Sequence, residues 1–526
     1  VKNSSGEFTP VIRKAGILLD QQSLASYMYL TDCDLAGGGP YVFQDPVNRR
    51  EVTWGQDDVI GGGNVQSNCP MIASDYGCPT FESTVWVTYG TEFDLGGCDS
   101  NVVFLGDPKV EYRPEVVLPP SGYTTLKNAA DVVYDATEKM KWAPSVHRDT
   151  LIMTEITFID EGYHVKQWWF LQPPHLKSYG GSPAVFGFPA ALEWNSTDYP
   201  DFSDNNFANY CRNPLDLRTC DPYRDSLFYF HGIHVSMDGN IYAGENLLDP
   251  QITGQHGLAH FDYEPINTGT GLVDEDALTL DETVYYTHPS VIYIKGGPVR
   301  VSGTFTGRYT IVTDDFIPYR RHAWPTPRAT FGDPPLDILW CSIWIVDDII
   351  NSDALDGDMA THQPDEECVG GSDNILGLVS GANVIIANTR ENGAWNSHWA
   401  QDVIIHAGII AFNESFVVQY WQNTVSTNTG QFSSPPWGDG RGIPKYGPSG
   451  NVDERGTVEL WGSIVQKFRG YMQRNQPGPY PTNDIGMDKD WQYDENLACN
   501  PPPFYPTIEF DNNERSVTLA SYGPIE

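Results

Sequence analysis

Between Ser290 and Asp315, apolar or β-branched residues alternate with others in three short runs: Val291–Lys295, Val299–Ser302 and Tyr309–Thr313. Gly or Gly-Pro separates the runs. Alternation at period two with glycine punctuation predicts half-buried strands. The pattern returns at Ile343–Ile350, Ile375–Val379, Asn383–Ala387, Val403–His406, Gly408–Phe412 and Phe416–Gln419, and again through Gly456–Gly470. These runs lie too close together for crossover helices, yet they continue for about 180 residues. A coil of short strands stacking on itself accounts for this, so the expected fold is mostly β: a right-handed parallel β-helix, or solenoid, with a β-sandwich as the alternative. The inward positions of such a coil are expected to include Val291, Tyr293, Val299, Val301, Ile311, Ile343, Ile345, Val384, Ile386, Ile404, Ile409, Val458 and Leu460. A slip of one residue in any strand would exchange its two faces.

Other stretches break the period. In the sequence GYTTLKNAADVVYDATEKMKW, Leu126, Ala129, Ala130, Val133 and Ala136 fall at helical spacing, with Thr124 or Thr125 as the expected cap. Leu151–Ile159 and Tyr163–Phe170 flank Asp160-Glu161-Gly162 and predict a β-hairpin. The expected organisation is a β region over 1–120 holding early solenoid turns and an inserted helix and hairpin over 121–170. An irregular excursion over 171–226, the main solenoid over 227–475 and a Pro- and Tyr-rich cap over 476–526 follow. The cap is expected to wrap the last turn and cover an open sheet edge.

Charge narrows the classes of partner. Sixty-nine acidic and 31 basic side chains leave a net charge of −38 on 526 residues. Nucleic-acid binding needs a basic footprint and anionic lipid attracts basic segments, so both are disfavoured. No run approaches the roughly 18 apolar residues of a membrane span. The chain begins at Val1, and the expectation is that a signal or anchor preceded it. Nine cysteines carry no CxxC zinc pattern. Cys69 with Cys78, and Cys211 with Cys220, each bracket a short polar loop and are expected to form local disulfides in an oxidising compartment. An odd count leaves at least one thiol over.

Several segments together resemble a known family. VIYIKGGPVRVSGTFTGRYTIVTDD, IWIVDDIINSD, SDNILGLVSGANVIIAN, VIIHAGIIAFNESFVV, RGTVELWGSIVQKFRG and DWQYDENLACNPPPFYP are similar to an uncharacterised domain family of bacterial cell-surface proteins. Many of its members carry a type IV pilin-like, pilus-assembly N-terminal segment. VTWGQDDVIGGGNVQSN resembles the family's N-terminal Gly-x-Val-His-Ser-Asn phrase, with Gln66 in place of the His. The resemblance implies a β-helical extracellular protein at the bacterial surface with no known enzyme activity. The long insertions here, and the lack of a hydrophobic pilin helix at the start, depart from the family.

Candidate chemistry is sparse. Asp353, Asp356 and Asp358, near Asp365 and Glu366, offer hard oxygen ligands for Ca²⁺, though without EF-hand spacing; a solvated acidic loop is the competing reading. The pairs Asp347–Asp348 and Asp314–Asp315 end strands. Such pairs serve as acid and base in β-helical polysaccharide lyases and hydrolases, the alternative function, but turn residues accepting backbone hydrogen bonds are the simpler reading. His231, His234, His256 and His260 lie close in sequence, without the Glu of a metalloprotease helix. Asn3, Asn195 and Asn413 begin glycosylation sequons. Trp324, Trp395, Trp399, Trp421 and Trp437 are placed to stack on sugars or to bury in a contact. The function expected is a non-enzymatic surface protein that self-assembles into a filament, sheath or pilus-associated layer, with cell-surface glycans or pilus components as further partners. Phe8, Val11 and Ile12 form the apolar tip of an N-terminal arm expected to join neighbouring subunits.

Overall fold

The computed structural model describes residues 15–36, 52–55, 58–73, 78–143, 148–170, 234–235, 241–242, 278–319, 337–387, 389, 391–392, 401–418, 454–470, 472–474, 485–511 and 516–524. The protein is mostly β. Its strands gather into three ladders in which neighbours run parallel. The first ladder holds ten strands. From one end it runs Val132–Asp135, Ser290–Lys295, Arg308–Thr313, Ile375–Ser380, Val403–Ala411, Glu454–Arg469, Tyr27–Ala36, Asn64–Ser67, Val85–Thr88 and Val110–Arg113. The second carries Arg148–Ile159, Val299–Phe305, Ile343–Asn351, Val384–Ile386 and Phe416–Val418. The third carries the first halves of Val403–Ala411 and Glu454–Arg469, then Ile485–Tyr493, Val59–Gly61, Thr80–Phe81 and Val103–Phe104.

Register explains the alternation seen in the sequence. Val132, Ile292, Ile311, Leu378, Ile409, Ile464, Tyr29, Val65, Val85 and Val110 stand opposite one another in succession along the first ladder, pointing into the interior. Each of the side chains between Val132 and Val110, removed from water by the layers above and below it, contributes roughly 1.5–3 kcal/mol. Most of the expected inward residues lie in this core. Three do not. Ile292 and Ile294 point inward, whereas Val291 and Tyr293 face the other side of the sheet. Ile404 likewise yields to Val403 and Ile405. Ser290–Lys295 is apolar on both faces because both are covered, so alternation alone does not fix its orientation.

The cover on the outer face is a second apolar cluster that includes Leu30, Leu126, Val312, Ile375, Val379, Ile410, Val465 and Tyr505. Two segments supply it. Residues 114–131 leave the Val110–Arg113 end and travel along the sheet to the Val132–Asp135 end. On the way Asn68 grips Val116 through bonds of 2.9 and 2.7 Å, Tyr123 donates to Thr313 O, and Asp131 N donates to Val291 O at 3.0 Å. The Pro-rich tail crosses the same face. Arg308 donates to Pro501 O and Thr310 to Pro503 O, each at 2.7 Å. Tyr505 rests on Gly377 and Gly408, where added Cβ atoms would lie 2.7 and 3.0 Å from its ring and hydroxyl. The tail therefore covers the middle of a sheet and not an end edge.

Two local expectations change. The helix covers only Gly122–Asn128, and no Thr caps it; Val132–Asp135 is a strand of the first ladder. β-branched Val132 and Val133 followed by Tyr134 favour that outcome, and Tyr134 is buried in the interior. The hairpin forms as expected, pairing Leu151 with Phe170 and Ile159 with Gly162. Leu278–Tyr285 adds antiparallel to it, and Tyr163, Val165 and Val284 close the interior at that end. Elsewhere Ala15–Gln21 pairs antiparallel with Val517–Pro524, near the two ends of the chain.

Candidate functional site

The order along the first ladder departs from the order along the chain. Tyr27–Ala36 lies directly on Glu454–Arg469, so the N-terminal layers stand on the C-terminal ones across a seam. Gln466 Nε2 donates to Tyr29 Oη at 2.8 Å over 437 residues of sequence, and Tyr493 Oη donates to Ala25 O at 2.9 Å. Gly63 takes φ +60° there, and a Cβ on it would lie 2.6 Å from Met28 and Tyr493.

The seam holds a cluster of buried charge. Arg469 Nη2 lies 2.7 Å from Asp58 Oδ2, and Lys489 bonds Asp58 Oδ1. The Arg469 guanidinium sits 3.9 Å over the Trp54 ring. Asp34 accepts from Trp54 Nε1 and Thr31 Oγ1, each at 3.0 Å. Burial alone would raise the Asp58 carboxyl, but the Arg469 and Lys489 charges and the Gly55 and Lys489 hydrogen bonds outweigh it and hold Asp58 well below the usual carboxylate range. Burial raises Asp34 against the opposing pull of Arg469. The cluster joins Asp34 and Asp58 of the N-terminal layers to Arg469 and Lys489 of the C-terminal ones, so its chemistry is adhesive. Neither the charge pattern nor any motif marks these four residues in the sequence.

A second group of carboxylates lines the outer face of the third ladder. Glu459 stands between Ile404 and Asp490 in register. Burial raises its carboxyl first, and Asp402, Asp490 and Asp348 add to that. Asp348 is raised by burial and by Asp347 and Asp402, against a 2.8 Å bond from Ile404 N; Asp347 is raised by burial and accepts from Asp348 N at 2.9 Å. Neighbouring carboxyls with raised proton affinity are the raw material of acid–base chemistry. The other predicted pair does structural work: Asp314 accepts from Lys127, Tyr293 and Gly296 N, and Asp315 from Phe316 N.

Asp353, Asp356 and Asp358 do not converge. Asp353 accepts from Ser372 Oγ at 2.6 Å, 19 residues on, while Asp356 accepts from Asp358 N at 3.4 Å and Asp358 from Ala360 N at 2.8 Å, each within its own turn. Among the described residues no group of three His, Cys, Asp or Glu side chains is placed to hold a metal ion. The expected Cys69–Cys78 bond is replaced: Cys33 pairs with Cys69, Cys78 with Cys98 and Cys368 with Cys499. The first two bonds tie segments that stack as neighbouring layers, which brings together cysteines that are not the nearest in sequence. Cys341 is free and buried, and burial raises its thiol well above the ordinary value. Asn413 Nδ2 donates to Gly381 O and Ser415 is buried, so that sequon is occupied by the fold. Phe8, Val11, Ile12, Cys211, Cys220, Asn3, Asn195, His231, His256, His260 and the five singled-out tryptophans lie outside the described residues, as does the side chain of His234.

No helix among the described residues is long and apolar enough to cross a membrane. No family model, curated protein or solved structure matches the chain.

Proposed function

We propose that this chain is a β-helical, extracellular structural protein of the bacterial surface that self-assembles into a filament, sheath or pilus-associated layer. The observation that carries the reading is the ten-strand parallel ladder with an unbroken inward column from Val132 to Val110. A solenoid of this kind is a scaffold whose ends invite stacking. The three disulfides among the described residues support an oxidising compartment. The resemblance to bacterial cell-surface domains points the same way. Electron microscopy of the purified protein at rising concentration and ionic strength tests this reading: regular polymers are expected, and monodisperse single particles throughout would end it.

The carboxylates around Glu459 favour a second reading, a polysaccharide lyase or hydrolase. Incubation with acidic and neutral polysaccharides decides between them. New reducing or unsaturated ends that vanish in Asp347→Asn would replace the structural reading with the enzymatic one.

A further inference from the structure

We infer that copies of this chain join head to tail by strand addition, the free edge of Val110–Arg113 in one copy pairing in parallel with the free edge of Val132–Asp135 in the next. The inference rests on the self-assembling reading and names its joint.

These strands are the two ends of the first ladder, and among the described residues each pairs on one side only. All ten strands point the same way, so a second copy set on the end continues the ladder without reversal. The continuing register is Val110 opposite Val132 and Tyr112 opposite Tyr134. It extends the inward column across the joint. The exposures fit an interior cut open: Tyr112 is 51% exposed, whereas Val87, its partner one layer in, is 0%. Tyr89, Val103 and Leu105 add 65%, 42% and 63% exposed apolar surface at the same end.

Spacing supports the match. Twenty residues separate Val65 from its ladder partner Val85, and 25 separate Val85 from Val110. Twenty-two separate Val110 from Val132, the step of one further layer. Residues 114–131 carry that layer to the opposite end of the stack, so among the described residues nothing supplies it to Val110–Arg113, and a second copy can.

Charge is compatible with the same pairing. The register sets Lys109 beside Asp131 and Arg113 beside Asp135, with Arg113 also bonded to Glu111 and Asp135 to Lys295. On a chain of net charge −38 most other surfaces would repel their copies. At the Val132 end, Gly162–Phe170 and Leu278–Tyr285 overhang along the second ladder. At the Val110 end the chain leaves along the outer face after the first-ladder strand, and among the described residues no second-ladder strand follows it. The overhang of one copy meets that open side of the next. A head-to-tail contact of this kind does not close and produces a fibre.

The test places cysteines in register on the outward faces of the full-length chain, as Glu111→Cys and Val133→Cys. Under mild oxidation the double variant is expected to give a ladder of covalent multimers on non-reducing gels. Mixing the two single variants is expected to give covalent dimers, and neither alone to give multimers. Lys109→Glu, at an exposed side chain, keeps the test open if the cysteine variants misfold: it is expected to raise the concentration needed for assembly about threefold. Polymers that form without cross-linking, or that ignore Lys109→Glu, would overturn this joint and leave self-assembly standing. A wild-type chain that stays monomeric in light scattering at every concentration and salt would overturn both.

Discussion

Arg469 and Asp58 meet at 2.7 Å across the seam, both almost wholly buried, although 411 residues separate them. Breaking a buried pair by removing one partner leaves an uncompensated charge, at a typical cost of roughly 3–5 kcal/mol. Lys489 still bonds Asp58 after Arg469→Met, so the expected loss sits at the lower end, about 3 kcal/mol. The loss should be local. In hydrogen exchange, Tyr27–Ala36 and Asn64–Ser67 should lose protection well before Ser290–Lys295 and Arg308–Thr313. Equal loss in all four strands would show that the seam does not divide the stack.

The grip of Asn68 on Val116 anchors the segment that runs along the outer face. Asn68→Ala removes one acceptor and two donor bonds at buried or partly buried groups. Leaving Val116 N unpartnered costs about 1–3 kcal/mol. The expected readout is a lower urea midpoint together with new protease cleavage within 114–121. Unchanged cleavage kinetics would place the anchor elsewhere.

His406 predicts a pH dependence. It accepts from Asn351 N at 2.9 Å and donates to Gly357 O at 3.0 Å, and burial pushes its pKa down to about 4. The unfolded chain, near 6.5, binds the proton first. Stability from this group is fully present above pH 6.5 and is lost as pH falls towards 4, by about 3 kcal/mol in all. Urea midpoints measured at pH 7, 5.5 and 4 should fall less steeply in His406→Gln than in the wild type. Parallel slopes would show that other groups carry the acid sensitivity.

Cys341 should be silent to thiol reagents in the folded protein. A denatured, unreduced chain is expected to titrate one thiol, with Cys211 and Cys220 paired as their spacing suggests. Three thiols would show that pair to be open, and reaction in the native state would contradict the burial of Cys341.

Gly63 tests the seam from its backbone. Its positive φ and the 2.6 Å approach of Met28 and Tyr493 leave no room for a methyl group. Gly63→Ala is expected to destabilise by more than the roughly 1 kcal/mol that glycine replacement costs or gains at open sites. A smaller shift in urea midpoint would mean the two sides of the seam part easily.

The strands were legible where one face is wet. Val299 and Val301 alternate with Arg300 and Ser302 and point as expected. Legibility failed where a strand is covered on both faces, as at Ile292 and Ile404, because composition then says nothing about orientation. The spacing of Leu126, Ala129, Ala130, Val133 and Ala136 mimicked a helix although the chain changes conformation at Ala129. Disulfide partners were misassigned because layers set one cysteine over another some 20 or 36 residues away, not across the nearest loop. The seam left no local signal at all. Nothing around Tyr29 announces Gln466, and the charged groups joining the two sides read in sequence as ordinary surface residues.

That seam also sets a timetable. A ribosome delivers residues 27–113 first, yet their platform, Glu454–Arg469 and Ile485–Tyr493, arrives last. The early layers cannot be templated by the chain that directly follows them and must wait, unpaired on one side, for most of synthesis. Contacts as distant as Tyr29 to Gln466 make for slow folding. Strand edges left waiting that long are sticky. Until the C-terminal strands arrive, the early layers thus expose along Tyr27–Ala36 an edge that the finished molecule hides, distinct from the two ends of the completed ladder.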